Sequence, residues 1–121
     1  MANRIKGFLQ STLGIGVDRH FEPSPEQLRE MLDNDSVIVI DVRSDGEYRG
    51  GHIPGARHIP HMRLDPGKLD IAGDTPIVVY CAAGGRSEYA KGVLKSAGFT
   101  NVRNFGGVDR WNGPLSEGND R

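Results

Sequence analysis

The chain has 121 residues, of which 36% are hydrophobic and 26% charged, and its formal net charge is −1. This length suits one compact domain and is short for two. The near-neutral charge argues against a nucleic-acid binder or a membrane-surface domain, because no basic block accumulates. No apolar run reaches the roughly 20 residues that a membrane helix needs. We therefore expect neither nucleic acid nor membrane as a partner.

The cysteine content indicates the compartment of the protein, and the two ends of the chain indicate the limits of its domain. Cys81 is the one cysteine, so the chain is not a disulfide scaffold, and a reducing compartment, the cytoplasm, is expected. Residues 1–21 carry apolar side chains at helical spacing that polar ones interrupt, which favours an arm or a short amphipathic helix over a signal peptide. We expect a single domain over residues 22–116 and a frayed polar tail over residues 117–121.

The first predicted elements are a helix and a buried strand. Ser24 can cap a helix that Pro25 opens, and Gln27 can complete a capping box, so we predict a helix that ends at Asn34. Residues 37–40 (VIVI) form a continuous β-branched run. Such a run is typical of a strand that is covered on both faces in a parallel sheet.

The second part of the chain shows the same alternation. Residues 77–80 (IVVY) predict another buried strand, and the apolar spacing over residues 86–97 predicts a helix that Gly98 ends. The alternation predicts an α/β fold with a mainly parallel sheet, in which ligands bind at the carboxyl ends of strands, where Cys81 lies. Shorter elements are predicted as a helical turn at 47–49, a strand at 57–59, a loop or short helix over 62–75, a last strand at 102–105 and a tight turn or close backbone approach at 106–107.

The segment YCAAGGRS, residues 80–87, joins the second buried strand to the helix that follows. Its small residues let backbone N–H groups turn toward one point, and the helix start adds its own N–H groups and positive dipole end. Such surroundings lower a thiol pKa to roughly 3.5–7.5, so we predict that Cys81 is a thiolate nucleophile. The alternative is a buried strand-end cysteine before an ordinary turn. The predicted anion cradle comprises Ala82, Ala83, Gly84, Gly85, Arg86 and Ser87.

Two charged residues near the first strand are candidates for support of the loop rather than for catalysis. Asp41 is interpreted as a strand-end carboxylate that accepts loop N–H bonds. Arg43 is interpreted as the partner of an acid such as Glu47. Together they would orient the cysteine loop from behind.

The histidines are interpreted as structural. His52 precedes an Ile-Pro-Gly turn and is predicted to be hydrogen-bonded rather than to act as a base. His58 and His61 have a spacing that can hold a metal, but two ligands beside a proline make a weak site. We expect no metal.

Three motifs in order resemble the rhodanese-like sulfurtransferases. Residues 81–87 are similar to the C-x-x-G-x-R-S loop of that family, and residues 41–56 contain its D-V-R, E-Y and G-H-I-P-G-A motifs. Residues 98–111 also fit through Gly98-Phe99, Val102, the Gly106-Gly107 pair and Trp111. The resemblance covers roughly residues 22–113.

This resemblance implies a three-layer fold with a parallel sheet of about five strands and helices on both faces. It also implies a reaction in two steps. Cys81 takes the outer sulfur of a small anionic donor such as thiosulfate, forming a persulfide, and passes it to cyanide in vitro or to a cellular thiol. Backbone N–H groups of residues 82–87 would cradle the anion, and no cofactor is implied. A chain with one cysteine needs an external acceptor.

Two loop features bear on the competing functions. Ala82 and Ala83 stand where some two-domain relatives carry basic residues that help bind thiosulfate, so less fixed positive charge faces a dianion. A dual-specificity phosphatase has five residues between its cysteine and arginine, whereas four separate Cys81 from Arg86, and a shorter ring of amides suits a smaller anion.

A persulfide carrier or binding module that receives sulfur from a partner protein would use the same residues, and this alternative stays open.

Overall fold

The computed structural model describes residues 20–119. Within them the chain alternates between helices and strands, with short 3-10 turns at His61–Arg63, Pro66–Lys68 and Val108–Arg110. The helices are α1 (Pro25–Asp33), α2 (Asp45–Gly50) and α3 (Gly85–Ser96). The strands are β1 (Ile38–Asp41), β2 (Arg57–His58), β3 (Ile77–Cys81) and β4 (Val102–Gly107).

The four strands form one parallel sheet in the order β2-β1-β3-β4. The predicted α/β class with a parallel sheet is confirmed, but the predicted number of about five strands is wrong for residues 20–119. Beside β4, the Glu22 N–H donates to the Asn104 carbonyl at 2.9 Å. The N–H groups that face one neighbouring strand come from alternate residues, and the next of these, that of Ser24, donates instead to Gln27 Oε1 at 2.9 Å in the capping box of α1. This contact therefore does not grow into a fifth strand.

Alternation along β3 sorts its residues between the two faces of the sheet. Val78 and Tyr80 join a cluster with Leu28 of α1, whereas Cys81 joins a cluster with Ala90 and Leu94 of α3. All five residues of β3 are buried, as the unbroken β-branched run predicts. Helices therefore cover both faces, and the predicted three-layer arrangement is confirmed.

The helix starts differ in how their first N–H groups are satisfied. Ser24 caps α1 and Ser44 caps α2, each in a reciprocal capping box with the residue three positions on. Helix α3 has no side-chain cap, because its N-cap residue is Gly84 with a φ of 101°. Its first N–H groups are consequently available to whatever lies in front of the helix.

The predicted arm over residues 1–21 lies outside the described residues except for its last two. At the other end, the backbones of His52 and Ser116 exchange hydrogen bonds, and the Gly118 N–H donates to the Arg49 carbonyl at 2.8 Å. The tail that we predicted from residue 117 is therefore tied to the domain at Gly118. Across residues 20–119, none of the helices has both the length and the apolar character needed to cross a bilayer.

Candidate active site

Cys81 is the last residue of β3 and is 1% exposed. Its Sγ accepts the Gly84 N–H at 3.0 Å and the Ser87 N–H at 3.4 Å, and it lies 3.2 Å from the Ser87 hydroxyl oxygen. Ser87 is the third residue of α3, so its N–H is one of the amides that a side-chain cap would otherwise take. The sulfur thus occupies the position of the missing helix cap.

Burial and hydrogen bonding act on the pKa of Cys81 in opposite directions. Burial raises the pKa of the thiol, but the Ser87 hydroxyl and the N–H groups of Ser87, Ala83 and Gly84 favour the thiolate. The net effect is a pKa below the ordinary value. The loop therefore promotes the anionic form of the only cysteine.

Two glycines allow the backbone to close around Cys81. Gly84 has a φ of 101°, and a Cβ there would lie within 2.5 Å of the Phe21 ring. Gly107 pairs with Cys81 across the sheet, and a Cβ on it would overlap the Ala82 carbonyl group. Side chains are thus excluded both from the turn of the loop and from the strand beside it.

The other predicted cradle residues line the loop without touching the sulfur through their side chains. Ala82, Ala83 and Gly85 are exposed. Arg86 turns its guanidinium to Glu47, with Nη1 2.8 Å from Oε1 and Nη2 3.0 Å from Oε2. Hydrogen bonding to Glu47 raises the pKa of Arg86, and the charge of Arg86 also interacts with Cys81.

Glu47 connects the cap of α2 to the cysteine loop. Besides Arg86, its Oε1 accepts the N–H of Ser44 at 3.0 Å and the hydroxyl of Ser44 at 2.9 Å. The hydrogen bonds from Arg86, followed by those from the Ser44 backbone, lower the pKa of Glu47 to about 2. One carboxylate therefore fixes both the start of α2 and the arginine of the loop.

Asp41 and Arg43 form a buried ion pair at the end of β1. The Arg43 Nη2 lies 2.7 Å from Asp41 Oδ2, and the two side chains are 6% and 0% exposed. We predicted an acid such as Glu47 as the partner of Arg43; this is wrong, because Asp41 is two residues away on the same face of an extended segment. Arg43 also donates to the Gly51 carbonyl at 2.7 Å.

The Asp41–Arg43 pair belongs to the α1 side of the sheet, opposite Cys81. The Arg43 guanidinium lies 5.5 Å from the centre of the Tyr80 ring, and the Tyr80 hydroxyl accepts the Ile53 N–H at 3.0 Å. Burial, together with the nearby Asp41 carboxylate, raises the pKa of Tyr80. The pair meets the cysteine-bearing strand at Tyr80, and the charge of Asp41 also acts on Arg86 of the loop.

Two of the three histidines predicted to be structural, His52 and His58, stack on the ring of Tyr48. His52 is buried, its Nδ1 donates to the Tyr48 carbonyl at 2.8 Å, and its ring stacks on that of Tyr48 at 3.7 Å. His58 Nε2 donates to the Arg43 carbonyl at 2.8 Å. The ring of His61 meets the edge of the Tyr89 ring at 6.1 Å. Each of these three histidines thus has a structural contact with backbone or ring.

A pocket of about 370 Å³ adjoins the cysteine loop. Arg86 lines it, together with Arg43 and the exposed Met62, whereas Cys81 does not. The pocket therefore lies beside the site, and the Cys81 thiol does not open into it.

The sequence pattern missed two residues that contact the loop. Asn104 of β4 is 1% exposed and donates to the Gly84 carbonyl at 3.1 Å. The Phe21 ring packs against Gly84 and Gly106. The available signal for Asn104 was a polar residue inside a short strand, two positions before the Gly106-Gly107 pair; nothing local marks Phe21.

The fold and the site together define the class: a parallel α/β domain that holds a buried cysteine at the carboxyl end of a central strand. The rhodanese-like domain family model matches residues 24–113. The chain therefore belongs to the rhodanese-like domain family.

Individual relatives agree with this membership. The uncharacterized protein YqhL of Bacillus subtilis (strain 168) is 41% identical over 78 residues, which make up 64% of this chain and 62% of YqhL. The thiosulfate sulfurtransferase GlpE of Pseudoalteromonas translucida (strain TAC 125) is 32% identical over 92 residues, 75% of this chain and 88% of GlpE. A solved structure of rhodanese with anions from E. coli has a TM-score of 0.63 at 32% identity and covers 68% of this chain and 99% of its own. The match with YqhL thus spans less than two thirds of that protein.

Proposed function

We propose that the protein is a sulfurtransferase that carries a sulfane sulfur on Cys81, from a small anionic donor such as thiosulfate to a thiophilic acceptor. The observation that carries this proposal is the set of donors around Sγ, namely the N–H groups of Ala83, Gly84 and Ser87 and the Ser87 hydroxyl. They favour the thiolate, which is the nucleophilic form of cysteine. The GlpE relative supports thiosulfate as the donor to test first.

In the first step, the Cys81 thiolate attacks the outer sulfur of thiosulfate. A new S–S bond forms at Sγ, the S–S bond of the donor breaks, and its electron pair leaves with sulfite. The charge of the thiolate passes to the outer persulfide sulfur. Donors that already face Sγ require little rearrangement to face a neighbouring anionic sulfur.

In the second step, an acceptor attacks the outer persulfide sulfur. The persulfide bond breaks, its electron pair returns to Sγ as the thiolate, and the sulfur leaves on the acceptor, as thiocyanate when the acceptor is cyanide. Since Cys81 is the only cysteine, the acceptor is a separate molecule, either a small thiol or a protein thiol. A reducing compartment such as the cytoplasm suits a site that needs its thiol free.

The experiment is intact-mass measurement after incubation with thiosulfate, mercaptopyruvate or glutathione persulfide. We expect the mass of one sulfur atom on the wild type, its removal by cyanide with release of thiocyanate, and no gain on Cys81→Ser. The variant is the matched control because serine keeps the size of the side chain and removes the nucleophile. A wild-type mass that none of the three donors changes would contradict the proposal and favour a carrier that is loaded by a partner protein.

A further inference from the structure

The side chain of Asn104 in β4 makes three hydrogen bonds, one to the cysteine loop, one to α3 and one within β4. Its Nδ2 donates to the Gly84 carbonyl at 3.1 Å and to Glu88 Oε1 at 2.9 Å, and its Oδ1 accepts the Gly106 N–H at 2.9 Å. The side chain is buried, so water does not compete for these bonds. A buried amide with this many partners is held in one orientation.

Gly84 is held from two sides by these contacts. Its N–H donates to Cys81 Sγ at 3.0 Å. Its carbonyl accepts both the Asn104 amide and the Glu88 N–H, the latter at 3.0 Å. Glycine is the residue with the greatest backbone freedom, so a glycine that must direct an N–H at one atom needs its neighbouring peptide fixed from outside.

The backbone of Asn104 is itself anchored, which makes it a suitable support. In the sheet it lies beside Val79, directly before the irregularity that brings Gly106 opposite Tyr80. Its carbonyl accepts the Glu22 N–H at 2.9 Å.

We propose that Asn104 is a positioning residue for Cys81, because its amide fixes the Gly84 carbonyl and thereby keeps the Gly84 N–H directed at Sγ. This inference rests on the proposed function only in taking the Cys81 thiolate as the working form. Without the amide, the Gly84 carbonyl keeps a single donor, the Glu88 N–H. Among the charged groups here, Arg86 pairs with Glu47 and interacts with the charge of Cys81. Glu88 accepts a hydrogen bond from Asn104 and pairs with Lys91 on the same helix.

The test is a pH titration of the thiolate absorbance of Cys81, with Cys81→Ser as the blank, on the wild type and on Asn104→Ala. Alanine removes the donor without adding charge. We expect a higher midpoint in N104A, with about threefold to tenfold less thiolate at a pH near the wild-type midpoint, because one charge-stabilising N–H is no longer held in place. Asn104→Ser keeps a small polar group, so its Cys81 midpoint is expected to lie between those of the wild type and N104A.

The matched control is Tyr48→Phe, which removes another buried hydrogen bond to a carbonyl, that of Ala56 at 3.0 Å. We expect Y48F to lower the melting temperature while leaving the Cys81 midpoint unchanged, which separates positioning from general destabilisation. A folded N104A with the wild-type midpoint overturns the proposal, and so does failure of both N104A and N104S to fold. The titration needs no sulfur donor, so failure of the wild type to form a persulfide would count against the proposed function alone.

Discussion

Arg86 and Glu47, which are 39 residues apart in sequence, form a two-pronged ion pair with N–O distances of 2.8 and 3.0 Å. The pair joins the cysteine loop to α2, since Glu47 also completes the capping box of that helix. The arginine of the loop is therefore oriented by a carboxylate instead of standing free before the sulfur. Ionisation of Glu47 controls this arrangement.

The first prediction concerns the pH dependence of this ion pair. The folded-state pKa of Glu47 is about 2 against an ordinary 4.5, so its contribution to stability is present above pH 4.5 and is lost as the pH falls toward 2. The side chains are 36% and 32% exposed, and solvent screening limits the contribution to about 1 kcal/mol or less. We expect Glu47→Gln to lower the melting temperature at neutral pH, and the gap from wild type to close on acidification. A gap that does not change with pH in thermal unfolding would contradict this account.

The second prediction concerns the hydroxyl beside the sulfur. Ser87 is fully buried, and its Oγ lies 3.2 Å from Cys81 Sγ. Its removal in Ser87→Ala takes away a donor to the thiolate, so the pKa of Cys81 should rise and iodoacetamide alkylation at neutral pH should slow several-fold. Ser87→Thr keeps the hydroxyl and is expected to retain most of the wild-type rate. Equal rates in S87A and wild type would exclude a role for the hydroxyl.

The third prediction concerns the close approach of β4 to the loop. A Cβ on Gly107 would overlap the Ala82 carbonyl group, and neither backbone segment can move without disturbing the sheet. We expect Gly107→Ala to cost about 1–3 kcal/mol in the free energy of unfolding, measured by urea denaturation. The control is Gly92→Ala within α3, where a Cβ meets nothing within 4 Å. Alanine there should stabilise the protein by about 0.5–1 kcal/mol. A lower free energy of unfolding for G92A than for G107A would contradict the structure.

The fourth prediction compares a buried ion pair with an exposed one. Asp41→Asn leaves the buried Arg43 guanidinium without its counter-charge, which should cost about 3–5 kcal/mol. Asp45→Asn breaks the pair with Arg63, whose side chains are 54% and 64% exposed, and should cost about 1 kcal/mol or less. Urea denaturation of both variants gives the comparison. Similar losses in the two would mean that burial does not set the strength of these pairs.

The hydrophobic pattern of the sequence was enough to predict the layers of the fold. The run at residues 77–80 lies in β3 and the run at 37–40 lies in β1 from Ile38 onward, although each strand continues one residue further, to Asp41 and Cys81. Backbone hydrogen bonding extends the strands regardless of side-chain polarity, so a pattern of apolar residues ends too early. The pattern therefore locates a strand better than it locates the end that carries the site.

The partners within the site were less predictable, and for different reasons. The Asp41–Arg43 pair follows from strand geometry, since residues two apart share a face, and a stricter use of that rule would have found it. The contacts of Arg86 with Glu47 and of Asn104 with Gly84 join elements that only the completed sheet brings together. No local spacing encodes them.

The alternation of β3 has a consequence for how this chain can change. Tyr80 and Cys81 are neighbours, yet they belong to opposite layers of the domain. An insertion or deletion of one residue between Ile77 and Cys81 would exchange these layers and carry the thiol to the side of α1, away from Ser87. The number of residues in this strand is therefore as much a determinant of the nucleophile's surroundings as the loop, and insertions should be tolerated there only in pairs.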